Sequence, residues 1–219
     1  MDTIIQSNKH KYAKYILWIA LLCTELILGY ITKAHPIVTG VALLGVVSAI
    51  FSAEGWYSTH FMFLAYATGA AIIAWFNQLY GDVVAMGISA LGSCVAIITW
   101  RKNLRRHKVK TRYLTWKGWL LTFTCFLILS ATLFIYMTST NAHLPILNAL
   151  VLGLVISAEW LFTLRYCDSY VLYFFSDLLL TLTWALSGNW ILAFTCILNM
   201  VFEIYGLFNW RKLTRSEKT

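Results

Sequence analysis

Eight stretches of this sequence stay apolar for about 17–25 residues, the length an α-helix needs to cross the hydrocarbon core of a bilayer. They run from Tyr12 to Ile31, Ile37 to Ala53, Phe61 to Leu79, Val83 to Trp100, Trp119 to Met137, Leu147 to Leu164, Tyr170 to Leu186 and Trp190 to Trp210. A water-soluble fold has no interior large enough for that much apolar surface. With 60% hydrophobic and 12% charged residues among 219, and a mean hydropathy of +0.70, the chain reads as an all-α integral membrane protein with eight transmembrane helices.

The charges test that count independently, because each helix flips the side on which the next loop lies. With the N-terminus inside, one face receives Lys9, Lys11 and Lys14, the run Arg101, Lys102, Arg105, Arg106, Lys108, Lys110, Arg112 and Lys117, then Arg165, and finally Arg211, Lys212, Arg215 and Lys218. Of the 17 basic residues only Lys33 falls on the other face. Eight helices with both termini in the cytoplasm, in the cell membrane, give this asymmetry. The net charge of +8 is therefore a topology signal, and no nucleic-acid partner is expected. The basic run from Arg101 to Arg112 is read as a topology anchor.

Cys23, Cys94, Cys125, Cys167 and Cys196 sit singly, without histidines at ligand spacing. They read as small apolar residues, and no metal or cofactor is expected. The first helix carries Glu25 and lacks a clear small-residue cleavage site, so it reads as a retained span.

The two prolines of the chain mark an internal repeat. His35-Pro36-Ile37 opens the second apolar run and Leu144-Pro145-Ile146 the sixth, 109 residues later, and Val47-Ser48-Ala49 faces Ile156-Ser157-Ala158 at the same offset. At an offset of 110, Trp100-Arg101-Lys102 matches Trp210-Arg211-Lys212. The organisation that follows is a cytoplasmic N-terminus (1–11), an extra N-terminal helix (12–34), a three-helix repeat (35–102), a basic cytoplasmic loop (103–117), a linking helix (118–143), a second three-helix repeat (144–212) and a tail (213–219). One helix between two three-helix units restores their common orientation. The repeats are thus expected to be parallel pseudo-repeats, 3+1+3, with a site at their interface near the bilayer midplane.

Polar side chains at membrane depth are costly, about 2.5–3.5 kcal/mol for a carboxylate at a helix centre on insertion scales, and usually face a cavity or a partner. Tyr170, Tyr173, Asp177, Thr181 and Trp184 recur at helical spacing along one face. Cys196, Asn199, Glu203, Gly206 and Trp210 share a face of the last helix. At an offset of 110 the corresponding residues are Met86, Ser89, Ser93, Ala96 and Trp100, so the passage is expected to be two-fold in backbone and asymmetric in chemistry. Trp75, Asn77 and Gln78 close the third helix, where amides beside an aromatic ring suit a planar ligand; an interfacial aromatic belt would use the same residues. Candidate substrate-binding residues are Tyr66, Trp75, Asn77, Gln78, Tyr173, Asp177, Trp184, Asn199 and Glu203. Glu25 lies outside the repeats and is read as structural. Glu54 and Glu159, near helix ends, are read as solvated, and all five histidines as interfacial or loop residues.

The chain resembles the PnuC family of vitamin transporters from about Pro36 to Trp210. The resemblance rests on the 3+1+3 plan, on Gln78-Leu79-Tyr80 closing the third helix, and on the terminal Tyr205-Gly206-x-x-x-Trp210. It implies a facilitated-diffusion, alternating-access carrier of an unphosphorylated nucleoside or nucleoside-like vitamin. It further implies trapping of the product by a cytoplasmic kinase and a homotrimeric assembly. Carriers of nicotinamide riboside resemble one another in a Trp-x-x-x-Asn motif on the middle helix of each unit. In this chain Tyr173-x-x-x-Asp177 stands at the second copy and Met62-x-x-x-Tyr66 at the first, and Glu203 takes the place of an asparagine. These departures point away from nicotinamide riboside as the substrate and towards Asp177 as the residue that redirects specificity. Thiamine or riboflavin carriage within the family, or a small sugar uniporter of the same helix plan, are the other readings. A retinal-type sensor lacks a mid-membrane lysine. An enzyme is not expected, since His60 and His143 stand without a paired nucleophile.

Overall fold

The computed structural model describes residues 2–33, 35–76, 80–105, 108–139, 144–186 and 190–215. Among these residues the chain is all-helical apart from one two-stranded ribbon. The helices are α1 (Asp2–Ile31), α2 (Pro36–Ala53), α3 (Thr59–Phe76), α4 (Tyr80–Arg101), α5 (Trp116–Ser139), α6 (Pro145–Thr163), α7 (Ser169–Leu186) and α8 (Trp190–Arg215). Most boundaries fall within three residues of the apolar runs; α1 starts ten residues early and α8 ends five late, both in polar sequence. Six helices are long and apolar enough to cross a membrane, and α3 and α4 contribute the shorter apolar stretches Thr59–Ile73 and Met86–Arg101. Pro36 and Pro145 each sit at the first helical position, where a missing N–H costs nothing and the fixed φ suits the helix.

The chain divides into two compact units, residues 1–50 with 61–90, and residues 51–60 with 91–219. In the first, α1 and α2 approach at Gly29, beside Thr39, and α2 and α3 approach at Gly45 and Gly69. In the second, α5 packs on α6, α6 on α7 and α7 on α8.

The second unit contains the α2–α3 and α6–α7 turns, and they are copies. Gly55 N–H donates to Ser52, Trp56 N–H to Phe51 and Thr59 N–H to Trp56; 110 residues on, Arg165 donates to Phe162, Tyr166 to Leu161 and Ser169 to Tyr166. The left-handed residue is Gly55 (φ 70°) in one and Arg165 (φ 69°) in the other. Glycine takes that conformation freely, whereas arginine does so at a cost of about 1–2 kcal/mol. Arg165 has an offsetting contact, since its Nη1 donates to Lys110 O at 3.0 Å.

The ends of the helices cross over. Trp100 Nε1 and Thr99 Oγ1 on α4 donate to Thr163 O at the end of α6 (3.2 and 3.1 Å). Reciprocally, Trp210 Nε1 on α8 donates to Ser52 O and Asn209 Nδ2 to Ala53 O at the end of α2, each at 2.8 Å. The last carbonyls of a helix have no partner within it, and here each half caps the other. Trp100 and Trp210, both fully buried, meet edge to face at 5.5 Å between centroids. Phe162 stacks on Trp210 at 5.2 Å.

Two expectations are corrected. His60 is buried at 1% exposure, its ring 4.2 Å from that of Trp100 and edge-on to it, the same arrangement that Tyr170 makes with Trp210. It belongs to the aromatic core and not to an interface, because the turn repeat places residue 60 where 170 stands. The basic run is also more than an anchor. Leu104–Arg105 and Lys108–Val109 pair as antiparallel strands, and the segment then runs past both turns as a strap. Val109 N–H donates to Gly55 O, Arg112 N–H to Arg165 O and Cys167 N–H to Arg112 O. The Arg112 guanidinium lies 4.2 Å over the Tyr166 ring, and Asp168 Oδ2 accepts from Leu114 N–H at 2.6 Å. Cys167, buried at the same junction and beside the Asp168 carboxylate, has its thiol pushed up to about 12, by burial first and then by that charge.

Candidate substrate site

Where α7 and α8 face each other in the second unit, polar groups gather around Tyr170 and Tyr173. Gly206 on α8 makes this possible: a Cβ there would collide with the Tyr170 ring, so the absence of a side chain lets the phenol lie against the α8 backbone. The Tyr170 hydroxyl is 2.9 Å from Ser52 Oγ. One turn along α7, the Tyr173 hydroxyl donates to Glu159 Oε2 of α6 at 2.6 Å, and the other side of Glu159 lies by Gly92 of α4.

Nearer the turns, Tyr205 Oη donates to Glu54 Oε1, and Glu54 Oε2 pairs with Lys108 Nζ of the strap at 3.2 Å. Glu54 is 2% exposed. The expectation that Glu54 and Glu159 are solvated is therefore corrected: each is taken up by a tyrosine from another helix, and Glu54 also by a lysine. The Lys108 side chain remains 35% exposed while that of Glu54 is 3% exposed, which makes the pair unequal. Lys108→Met strands a buried carboxylate and is expected to cost about 3–5 kcal/mol. Glu54→Gln lets the lysine rehydrate and keeps an acceptor for Tyr205, so about 1–2 kcal/mol is expected. Thermal unfolding of the two purified variants checks the order; equal losses would refute it.

Asp177 and Glu203 differ from these. Asp177 lies midway along α7 and Glu203 midway along α8, on two helices that pack against each other. Glu203 Oε2 is buried and has no hydrogen-bond partner among the described residues. Among the described residues no hydrogen bond to the Asp177 carboxylate is present; beyond the helix's own bonds its backbone carbonyl accepts from Thr181 Oγ1 at 2.8 Å. No lysine or arginine occurs in α6 or α7, and α8 has none before Arg211. Asp177 and Glu203 are thus mid-helix carboxylates on neighbouring helices, with bonding capacity to spare.

Of the sequence candidates, Tyr173 and Asp177 stand one turn apart on α7, and Glu203 is on α8, which packs on α7. Trp184 is half-buried two turns beyond Asp177, and Asn199 is exposed one turn from Glu203. Tyr66 and Trp75 belong to the first unit. The Tyr66 ring lies against Gly45 of α2, and Trp75 lines an open cleft of about 660 Å³ between α3 and α4 with Ala71, Phe76, Met86 and Gly87. Asn77 and Gln78 lie outside the described residues. The sequence reading missed Glu54, Glu159, Ser52 and Lys108. A carboxylate ending an apolar run, as in Glu54-Gly55, was the available signal; the lysine 54 residues away left none.

Residues 35–212 match the sequence profile of the family described as nicotinamide mononucleotide transporter. The chain belongs to that family. Among curated relatives, this PnuC-type chain is 22% identical over 209 residues to the nicotinamide riboside transporter PnuC of Haemophilus influenzae, covering 91% of this chain and 90% of that one. It is also 22% identical over 189 residues to the protein of the same name from Neisseria mucosa, covering 80% and 71%. A solved structure described as the crystal structure of the vitamin B3 transporter PnuC superposes with a TM-score of 0.78, covering 93% of this chain and 92% of that one at 20% identity. The eight-helix PnuC fold anticipated from the motifs is thus the fold of this chain, and the protein is a multi-pass membrane transporter by family.

Proposed function

We propose that this PnuC-type protein carries an unphosphorylated, nucleoside-like vitamin with a cationic ring, nicotinamide riboside being the first candidate, by facilitated diffusion with alternating access. The observation that carries the reading is the two mid-helix carboxylates, one of them with a buried, unpartnered oxygen. Asp177 and Glu203 offer free carboxylate oxygens with no basic residue on α6, α7 or the body of α8, a setting that repels a phosphate and attracts a pyridinium or thiazolium. The names of the curated relatives favour nicotinamide riboside over the riboflavin and sugar readings. Tyr173 and Trp184 supply ring faces for stacking and Asn199 an amide for the sugar or ring edge. Tyr66, Trp75, Asn77 and Gln78 are the candidates the sequence offers in the first repeat.

The charge asymmetry supports a strap and both termini on the cytoplasmic side of the cell membrane. No ion gradient is needed where a cytoplasmic kinase removes the product, and a trimer is the assembly the family resemblance implies. Counterflow in proteoliposomes tests the carrier. Labelled nicotinamide riboside is expected to exchange against internal unlabelled riboside, and the mononucleotide to be excluded. No counterflow with nicotinamide riboside, thiamine or riboflavin would sink the proposal, and efficient mononucleotide uptake would reverse its charge logic.

A further inference from the structure

Where the strap runs into α5 the fold leaves positive charge unanswered. No aspartate or glutamate occurs between Asp82 and Glu159, so the strap and the whole of α5 are without an acid of their own. Lys108 is matched by Glu54. Asp168, which the strap meets just before α5, is buried and already accepts from Leu114 N–H. Arg112 and Lys117 are both exposed, and among the described residues neither meets a carboxylate. Arg112 Nε donates to Leu164 O at 2.9 Å and the guanidinium lies over the Tyr166 ring, which fixes the side chain while its two terminal nitrogens stay available to an incoming acceptor.

These cations lie at the depth of lipid headgroups. Trp116, 81% exposed, opens α5, and Trp160, also exposed, stands one turn before the Leu164 carbonyl that Arg112 holds. Exposed tryptophans at the ends of apolar helices mark the boundary between hydrocarbon and headgroups. Beyond that boundary the surface is apolar. Lys117, Leu121, Ile128 and Ile135 share one face of α5 and are all exposed, and the only buried residue of the helix is Ser130. Fixed positive charge at one end of a long apolar face is the complement of an amphiphile with an anionic head. We infer that Arg112 and Lys117 seat the phosphate of an anionic phospholipid whose acyl chains lie along the Leu121–Ile128–Ile135 face of α5. The guanidinium fork matches two phosphate oxygens and the ammonium adds a point charge. Phosphatidylglycerol brings a net negative charge to this place, whereas phosphatidylcholine brings its own ammonium beside two protein cations. Because Arg112 also holds Leu164 O, a headgroup bound here ties the strap, the α6–α7 turn and the start of α5 together.

Native mass spectrometry of the full chain in a non-ionic detergent, titrated with phosphatidylglycerol or with phosphatidylcholine of the same acyl chains, reads the occupancy. Phosphatidylglycerol is expected to saturate at one molecule per chain, at concentrations where phosphatidylcholine is not retained, and to raise the thermal unfolding midpoint. A basic residue at the membrane surface carries about a fivefold share of such an affinity. Lys117→Gln should therefore weaken retention about fivefold, and Lys117→Arg should restore it. Lys212, exposed at the same end of the bundle but on α8, serves as the control, and Lys212→Gln should leave retention unchanged. Neither lysine makes a hydrogen bond or ion pair among the described residues, so both variants should unfold like the wild type when no lipid is added. Glycerol 3-phosphate, a headgroup without chains, should not displace the lipid. Equal retention of the two lipids, or equal losses in Lys117→Gln and Lys212→Gln, would overturn the site and leave only a diffuse field of charge. Displacement by glycerol 3-phosphate as readily as by phosphatidylglycerol would overturn the lipid assignment in favour of a soluble phosphate.

Discussion

Asp177→Ala is expected to weaken binding of a cationic nucleoside by about 2–4 kcal/mol, roughly thirty- to a thousandfold in Kd, while Glu25→Ala leaves it unchanged. The magnitude follows from what the substitution removes. A carboxylate with spare acceptor capacity, in a region without other compensating charge, makes charge-assisted bonds about twice as strong as neutral ones. Glu25 lies on α1 in the first unit and is not part of the α7–α8 pair. Asp177→Asn separates the two components: the amide keeps a hydrogen-bonding group of the same size and loses the charge, so a neutral nucleoside should lose little and a cationic one most of the effect. Isothermal titration of the purified variants reads these constants directly, and equal losses for charged and neutral ligands would show that Asp177 acts through shape alone.

Trp210→Ala is expected to be the most destabilising single truncation in the second unit, about 3–5 kcal/mol. Its indole is fully buried, stacks on Phe162, meets Trp100 and Tyr170 edge-on, and caps Ser52 O at 2.8 Å. Truncation opens a large cavity and also strands a carbonyl. Trp210→Phe fills most of the space but cannot donate, so it should recover the larger part of the loss and leave about 1–2 kcal/mol. Thermal unfolding in detergent, followed by loss of monodispersity on gel filtration, measures both. A wild-type-like Trp210→Ala would mean that the aromatic cluster adds little to stability.

The helices and their number were legible because apolar length is a local signal, and the bilayer turns it into structure almost without ambiguity. The offset of 110 between Trp100 and Trp210 was legible too, and in the structure it governs both turns. What it fixed at the turns it also carries into α3 and α7. There Asp177 corresponds to Ala67 and Tyr173 to Phe63, whereas Tyr66 and Met62 stand one residue out of that register, at an offset of 111. Asp177 and Glu203 were visible as lone carboxylates in apolar runs. Glu54 was visible in the same way, but its partners Lys108 and Tyr205 were not, since a strap folding back over a turn leaves no periodicity. His60 was misplaced for a related reason. One residue past a turn, sequence alone does not distinguish a ring that faces headgroups from one that faces two tryptophans.

The crossed capping of the helix ends also bears on biosynthesis. The carbonyls of Ser52 and Ala53 near the end of α2 wait for donors on Asn209 and Trp210, more than 150 residues further along the chain. A nascent first half therefore carries an unfinished helix end until nearly the whole protein has been made. A chain cut short before Asn209 lacks both donors, and its first half is left with the same open carbonyls as a chain still on the ribosome. Completion of this end is in effect a record that translation reached the last helix, and a membrane protease that senses exposed backbone has the means to tell finished copies from fragments.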